Sequence, residues 1–162
     1  MKHVPLTQGK FALVDDEDLD YINQWSWMYC SRGYAKRYGR KGEKPKVIYM
    51  HRVVNKTPKG LETDHINRNK LDNRKRNLRT CTAMQNQHNS IPRNGGYSKY
   101  KGVSLYKSTG EYFAQIKINK KRTYLGRFDK EEAAALAYNA AALKNFGEFA
   151  FVNVIQNQED TE

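Results

Sequence analysis

At 162 residues the chain has room for one ordinary domain or two small ones, and 38% hydrophobic residues allow only modest cores. Twenty-nine Lys and Arg stand against 17 Asp and Glu, a formal charge of +12. No apolar run approaches the ~20 residues of a membrane helix, and the opening MKHVPLTQGK lacks the apolar stretch of a secretory signal. An intracellular, cytoplasmic protein without a membrane partner is expected. Cys30 and Cys81 form no CxxC pair, which argues against structural zinc. Both are expected as packed thiols rather than as a disulfide.

The first 31 residues hold two basic and five acidic side chains, and three basic blocks follow. Residues 32–59 carry ten basic against one acidic, 66–93 seven against one, and 97–128 eight against one. Basic blocks interleaved with Tyr point to a polyanion, and nucleic acid is the usual one. In chain order, KFALVDDEDLDYINQW predicts a short strand turning into a helix, with Leu19, Ile22 and Trp25 (or Asn23) at helical spacing. RGYAKRYGRKGEKPKVIYMHRVV predicts a hairpin of strands over 34–38 and 47–54.

Residues 63–86, TDHINRNKLDNRKRNLRTCTAMQN, read as strand, polar loop, strand and helix. The loop cannot form a core and is either ordered for function or disordered. Thr82 and Gln85 have capping-box spacing. Asp64 and His65 would lie on the first strand, with Asn86 facing them from the helix. A carboxylate and an amide carbonyl are hard oxygen donors suited to Mg²⁺ or Mn²⁺. A neutral imidazole can take a proton from attacking water. Asn77 could hold either the loop or the imidazole.

QHNSIPRNGGYSK predicts a boundary, with a linker over 91–98. Three short strands (YKGVSLYK, EYFAQIKIN, KRTYLGRF) and an alanine-rich helix follow. Asp129 and Glu132 suggest a capping box for that helix, Leu136, Ala140 and Leu143 one face, and Gly147 its end. Leu125, Phe128, Leu136, Leu143 and Phe149 are expected in the core. Gly102 and Gly126 are expected to serve turns or close sheet–helix packing. NQEDTE reads as a frayed tail.

His51 in MHRVV, DHIN at Asp64, NRKRNL with Asn77 and QNQHN with Asn86 resemble the zinc-free HNH (ββα-metal) nucleases of phage and intron homing endonucleases. The resemblance covers roughly residues 1–90, including VPLTQGKFALVDDED. It implies His65 as general base, Asp64 and Asn86 as metal ligands and Asn77 as the residue orienting the site. His51 would support the fold or meet the DNA backbone. Many relatives end their ligand set on His, so His88 stands as the alternative to Asn86. Arg52, Arg74, Lys75, Arg76 and Arg79 are expected on the DNA backbone.

Residues 97–153 resemble the Apetala-type (ethylene-response-factor) DNA-binding domain, whose sheet enters the major groove while its helix packs behind. Lys101, Ser104, Tyr106, Gln115, Lys117, Arg122 and Tyr124 fall at that family's contact positions. The expected fold is α+β: a ββα-metal module over 1–90, then a three-stranded antiparallel sheet on one helix over 99–153 and a tail over 154–162. The expected function is metal-dependent cleavage of double-stranded DNA, nicking one strand per site, with no protein partner implied. The alternatives are a non-catalytic DNA-binding regulator on a degenerate nuclease fold, and RNA binding.

Overall fold

The computed structural model describes residues 1–42, 44, 46–92 and 96–155. The protein has an α+β fold and divides into two compact units, Met1–Gln87 and His88–Glu162. In the first, β1 (Lys2–Pro5) pairs antiparallel with β2 (Phe11–Val14). The acidic run closes into a 3-10 turn at Asp16–Asp18 and a single helical turn, α1 (Leu19–Ile22). Then β3 (Met28–Tyr29), β4 (Ala35–Tyr38) and β5 (Val47–Tyr49) form an antiparallel sheet.

The strand expected over 47–54 stops at Tyr49, and Met50–Val54 is a helix, α2. Met50, His51 and Val54 are buried there. A spacing of one and four places them on one helical face, whereas strand alternation would split them. β6 (Glu62–His65) and β7 (Leu78–Cys81) pair antiparallel and lead into α3 (Ala83–His88). The Thr82–Gln85 box is formed: Gln85 N donates to Thr82 Oγ1 at 3.2 Å, and Thr82 N donates to Gln85 Oε1 at 2.8 Å. Val14, Ile22, Trp27, Ala35 and Met50 make the centre of this unit's core.

The second unit is an antiparallel sheet ordered β10-β9-β8, built from β8 (Val103–Leu105), β9 (Tyr112–Ile118) and β10 (Lys121–Phe128). The long helix α4 (Glu131–Phe146) packs on it. Two details depart from the sequence reading. Lys130 is the N-cap of α4 and no side chain caps it, while Glu131 instead accepts a bond from Lys99 N. Leu136 and Leu143 are more than half exposed. Ala134, Ala135, Tyr138 and Ala142 form the buried face, because small side chains let the helix backbone approach the sheet. Leu125, Phe128 and Phe149 are half-buried.

Part of the expected linker (residues 93–95) and the tail from residue 156 onward lie outside the described residues. Among the described residues no helix is long and apolar enough to cross a membrane. Cys30 is half-buried and Cys81 buried, both as free thiols.

Candidate active site

The polar loop between β6 and β7 is ordered because it docks on β2. Leu13 N donates to Leu71 O at 2.8 Å, and Asn73 N donates to Leu13 O at 2.8 Å. This buries Asp72 and Asn73, at 1% and 0% exposure, as deeply as any core residue. Buried polar groups must be satisfied, and these are. Asp72 accepts from Arg74 Nε and Nη2, each at 2.6 Å, and from Asn67 Nδ2 at 2.8 Å. The guanidinium of Arg74 beside it holds the Asp72 carboxyl below its usual range. Asn77 spends its amide on the loop: Oδ1 accepts from Asn67 N at 2.9 Å and Nδ2 donates to Asp72 O at 2.8 Å.

The partner of His65 is Asn73, whose Oδ1 lies 3.1 Å from the imidazole Nε2. The Asn73 amide cannot be turned around, since its Nδ2 faces the Leu71 carbonyl and the Met50 sulfur, both acceptors. Nε2 therefore carries the proton and Nδ1 is the basic nitrogen. His65 is buried against the rings of His51 (centroids 5.2 Å apart) and Tyr34 (6.0 Å). Burial pushes its pKa below 6.5, although Asn73 and the Asp64 charge oppose this, so the ring is neutral at pH 7.

His51 is also buried, with Nδ1 lacking a hydrogen-bond partner among the described residues. Burial, followed by the neighbouring His65 and Arg52, depresses its pKa to about 3. Its ring packs between Tyr34 and Tyr49, a supporting role in the fold. A group neutral when folded but titrating at 6.5 when unfolded gives stability that is full above pH 6.5. That stability is lost as the pH falls toward 3, at up to about 1.4 kcal/mol per pH unit. Both tryptophans, Trp25 and Trp27, lie in the first unit, so urea unfolding followed by tryptophan fluorescence reads this unit. His51→Phe should flatten its stability profile between pH 4 and 6.5; an unchanged slope would contradict the burial argument.

On β6, alternation places Glu62 and Asp64 on one face and Thr63 and His65 on the other. Asp64 Oδ2 accepts from Arg79 Nε at 2.9 Å and from Nη2 at 2.6 Å across the hairpin. Asn86 reaches the same face from α3, its Nδ2 donating to Glu62 Oε2 at 2.7 Å. Tyr34, whose ring lies near the imidazole, has a pKa raised by burial and then by the charges of Glu62 and, more weakly, Asp64. His88, the alternative ligand, stacks its ring on Phe146 at 3.6 Å between centroids.

The donor chemistry fits a hard divalent cation. Asn86 commits its nitrogen to Glu62, which leaves Oδ1 as the amide atom for a metal. Among the described residues, no three His, Cys, Asp or Glu side chains converge to hold a metal.

Several cationic candidates are engaged within the fold. Arg52 donates to Leu61 O at 2.8 Å and to Pro58 O at 3.2 Å. Arg74 holds Asp72, and Lys75 binds Glu17 and Asp18. Lys101 Nζ donates to His88 O and Ser90 O. Arg76 is exposed. In the sheet, Ala114 and Ile116 are buried on the α4 side, so Phe113, Gln115 and Lys117 face outward. Register pairs Gln115 with Tyr124, Lys117 with Arg122, and Phe113 with Ser104 and Arg127. Tyr106 joins this face, 4.5 Å from Phe113 and beneath the Arg127 guanidinium. The structure thus gathers every sheet candidate except Lys101 onto one exposed face.

Sequence reasoning missed Asn73, Glu62, Phe113 and Arg127. The antiparallel alternation of β9 and β10 could have found the last two. Asn73 had only the neighbouring Leu71 as a hint that the loop docks.

A β-hairpin closed by a capped helix, with Asp-His on the first strand and Asn on the helix, defines an HNH-type module. A three-stranded sheet on an alanine-faced helix defines the module after it. The HNH endonuclease family matches residues 49–88, and the AP2 domain matches residues 98–148. The chain is 33% identical over 149 residues to an uncharacterised HNH endonuclease of Acanthamoeba polyphaga mimivirus, covering 91% of this chain and 77% of that protein. The chain belongs to the HNH endonuclease family and carries an AP2 domain. It is also 39% identical over 87 residues to an AP2-like ethylene-responsive transcription factor of Arabidopsis thaliana. To APETALA2-like protein 2 of Oryza sativa it is 45% identical over 56 residues. These matches cover 46% and 35% of this chain but only 20% and 13% of the plant proteins.

Proposed function

We propose that the protein is a metal-dependent endonuclease that hydrolyses a phosphodiester bond in double-stranded DNA, nicking one strand per site. The observation that carries this reading is the imidazole of His65: buried, neutral, and held by Asn73 in the tautomer that leaves Nδ1 basic. Nδ1 takes the proton of the attacking water. Asp64 and Asn86 are the cation's protein ligands. A divalent cation held there would polarise the phosphate and stabilise the departing 3′ oxygen. Asn77 acts through the loop, keeping in place the segment that carries Asn73.

Arg79 pairs with Asp64 across the hairpin and would meet a phosphate bound on the same cation. Arg76 on the loop and Gln115, Lys117, Arg122 and Tyr124 on the sheet face hold the duplex, whereas Arg74 and Lys75 build the loop. A supercoiled plasmid incubated with Mg²⁺ or Mn²⁺ should accumulate open circles, and EDTA should stop this. No nicking with either metal, while duplex binding persists, would leave the non-catalytic DNA-binding regulator. Preference for single-stranded RNA over duplex DNA in competition would exclude both.

A further inference from the structure

Glu62 stands two residues before Asp64 on the same face of β6, half-buried, and receives the Asn86 Nδ2 proton at 2.7 Å. An Asn side chain has one donating and one accepting end, nearly equal in shape. A metal can use only the oxygen. Left alone, the amide is free both to turn and to swing, so its oxygen is held in no fixed place. An ionised carboxylate cannot donate a hydrogen bond, so it admits only one end of the amide, the nitrogen. The bond is also charge-assisted and hence strong.

We infer that Glu62 is a positioning residue for Asn86: by capturing Nδ2 it turns Oδ1 toward the cation that Asp64 shares. This rests on the reading of Asp64 and Asn86 as metal ligands. Partners that orient metal ligands commonly contribute about 10–100-fold to metal affinity. Glu62 is then needed for the geometry of its bond more than for its charge, and the two contributions can be separated. Glu62→Asp keeps the charge but withdraws the carboxylate by one methylene, breaking the bond. Glu62→Gln loses the charge and adds a donor, yet in one of its two amide orientations it still offers an oxygen acceptor to Asn86 Nδ2 at the same reach.

The test measures Mn²⁺ affinity by electron paramagnetic resonance on the full-length chain bound to a duplex. All variants carry His65→Gln so that the duplex is cut too slowly to matter during the measurement. Glu62→Asp should weaken Mn²⁺ binding by about 10–100-fold, and Glu62→Gln should weaken it less. Unchanged affinity in Glu62→Asp, or a larger loss in Glu62→Gln than in Glu62→Asp, would overturn the proposal; the second outcome would make Glu62 a charge alone. Should Glu62→Asp not fold, Glu62→Met, which has the length but lacks the carboxylate acceptor, must show the same loss. Asp64→Ala and Asn86→Ala run alongside. If neither changes Mn²⁺ affinity, the ligand reading itself has failed; if both do and Glu62→Asp does not, only the role of Glu62 has.

Discussion

His65→Gln should lower the rate of plasmid nicking by about 10²–10⁴-fold, the usual contribution of a positioned general base, while duplex affinity stays unchanged. Gln is the informative substitution because its Nε2 can still donate to Asn73 Oδ1, as the imidazole Nε2 does at 3.1 Å. The buried contacts with His51 and Tyr34 are disturbed less than by Ala, yet the amide has no basic nitrogen. Loss of activity in a folded His65→Gln protein therefore isolates proton transfer. The wild-type pH profile carries the same information. Burial lowers the His65 pKa and a nearby cation would lower it further, so both effects act in one direction. Activity should fall on the acid side with a midpoint below 6.5, as the imidazole becomes protonated. Undiminished nicking by His65→Gln, or an acid limb centred above pH 7, would remove His65 from the chemistry.

Gly102→Ala should strongly destabilise the second unit. Gly102 has φ +79°, a conformation that costs an L-residue roughly 1–2 kcal/mol. A Cβ there would also lie 2.0 Å from Tyr138 Cδ2 and 2.7 Å from the Gln115 carbonyl oxygen. The ring is 3% exposed and has little room to withdraw. The carbonyl belongs to β9, and Gln115 N donates to Gly102 O at 2.8 Å, so backbone would have to move. Overpacking of this kind typically adds about 1–3 kcal/mol. For a unit of this size each kcal/mol lowers Tm by roughly 4–8 °C, and small cores have little margin. Circular dichroism should show a transition lowered by more than about 10 °C. Duplex affinity should fall with it, while the tryptophan-detected transition of the first unit stays in place. A variant that melts like the wild type would contradict the close approach of α4 and the sheet at Gly102.

The parts of the fold that the sequence made legible are those whose causes are local. The hairpin turns are marked by Gly and Lys, and the Thr82–Gln85 box announces α3. The alternation in EYFAQIKIN fixes which face of β9 looks outward. What escaped depends on distant partners. MHRVV is as compatible with a strand as with a helix, and only the core that receives Met50, His51 and Val54 decides for the helix. Leu136 and Leu143 look like core residues by type, but the sheet selects the alanine face of α4, where the backbone can come close.

In the site, Asp64, His65 and Asn86 were conspicuous because their chemistry is unusual beside so much positive charge. Asn73 was not, being one more polar residue in a polar loop. Its importance comes from docking on β2, which is remote in sequence. The same holds for Glu62, whose meaning lies in one bond across to α3.

A single divalent cation shared by Asp64 and Asn86 lies at the heart of the proposed chemistry. Crystals of the full-length protein with a duplex, soaked in Mn²⁺ and measured for anomalous scattering, test it directly. One peak is expected about 2.1 Å from an Asp64 carboxylate oxygen and from Asn86 Oδ1, with Nδ2 of Asn86 still on Glu62. Ordered phosphate and Asp64 with no peak between them, or a peak bound through His88 and away from Asn86, would contradict it.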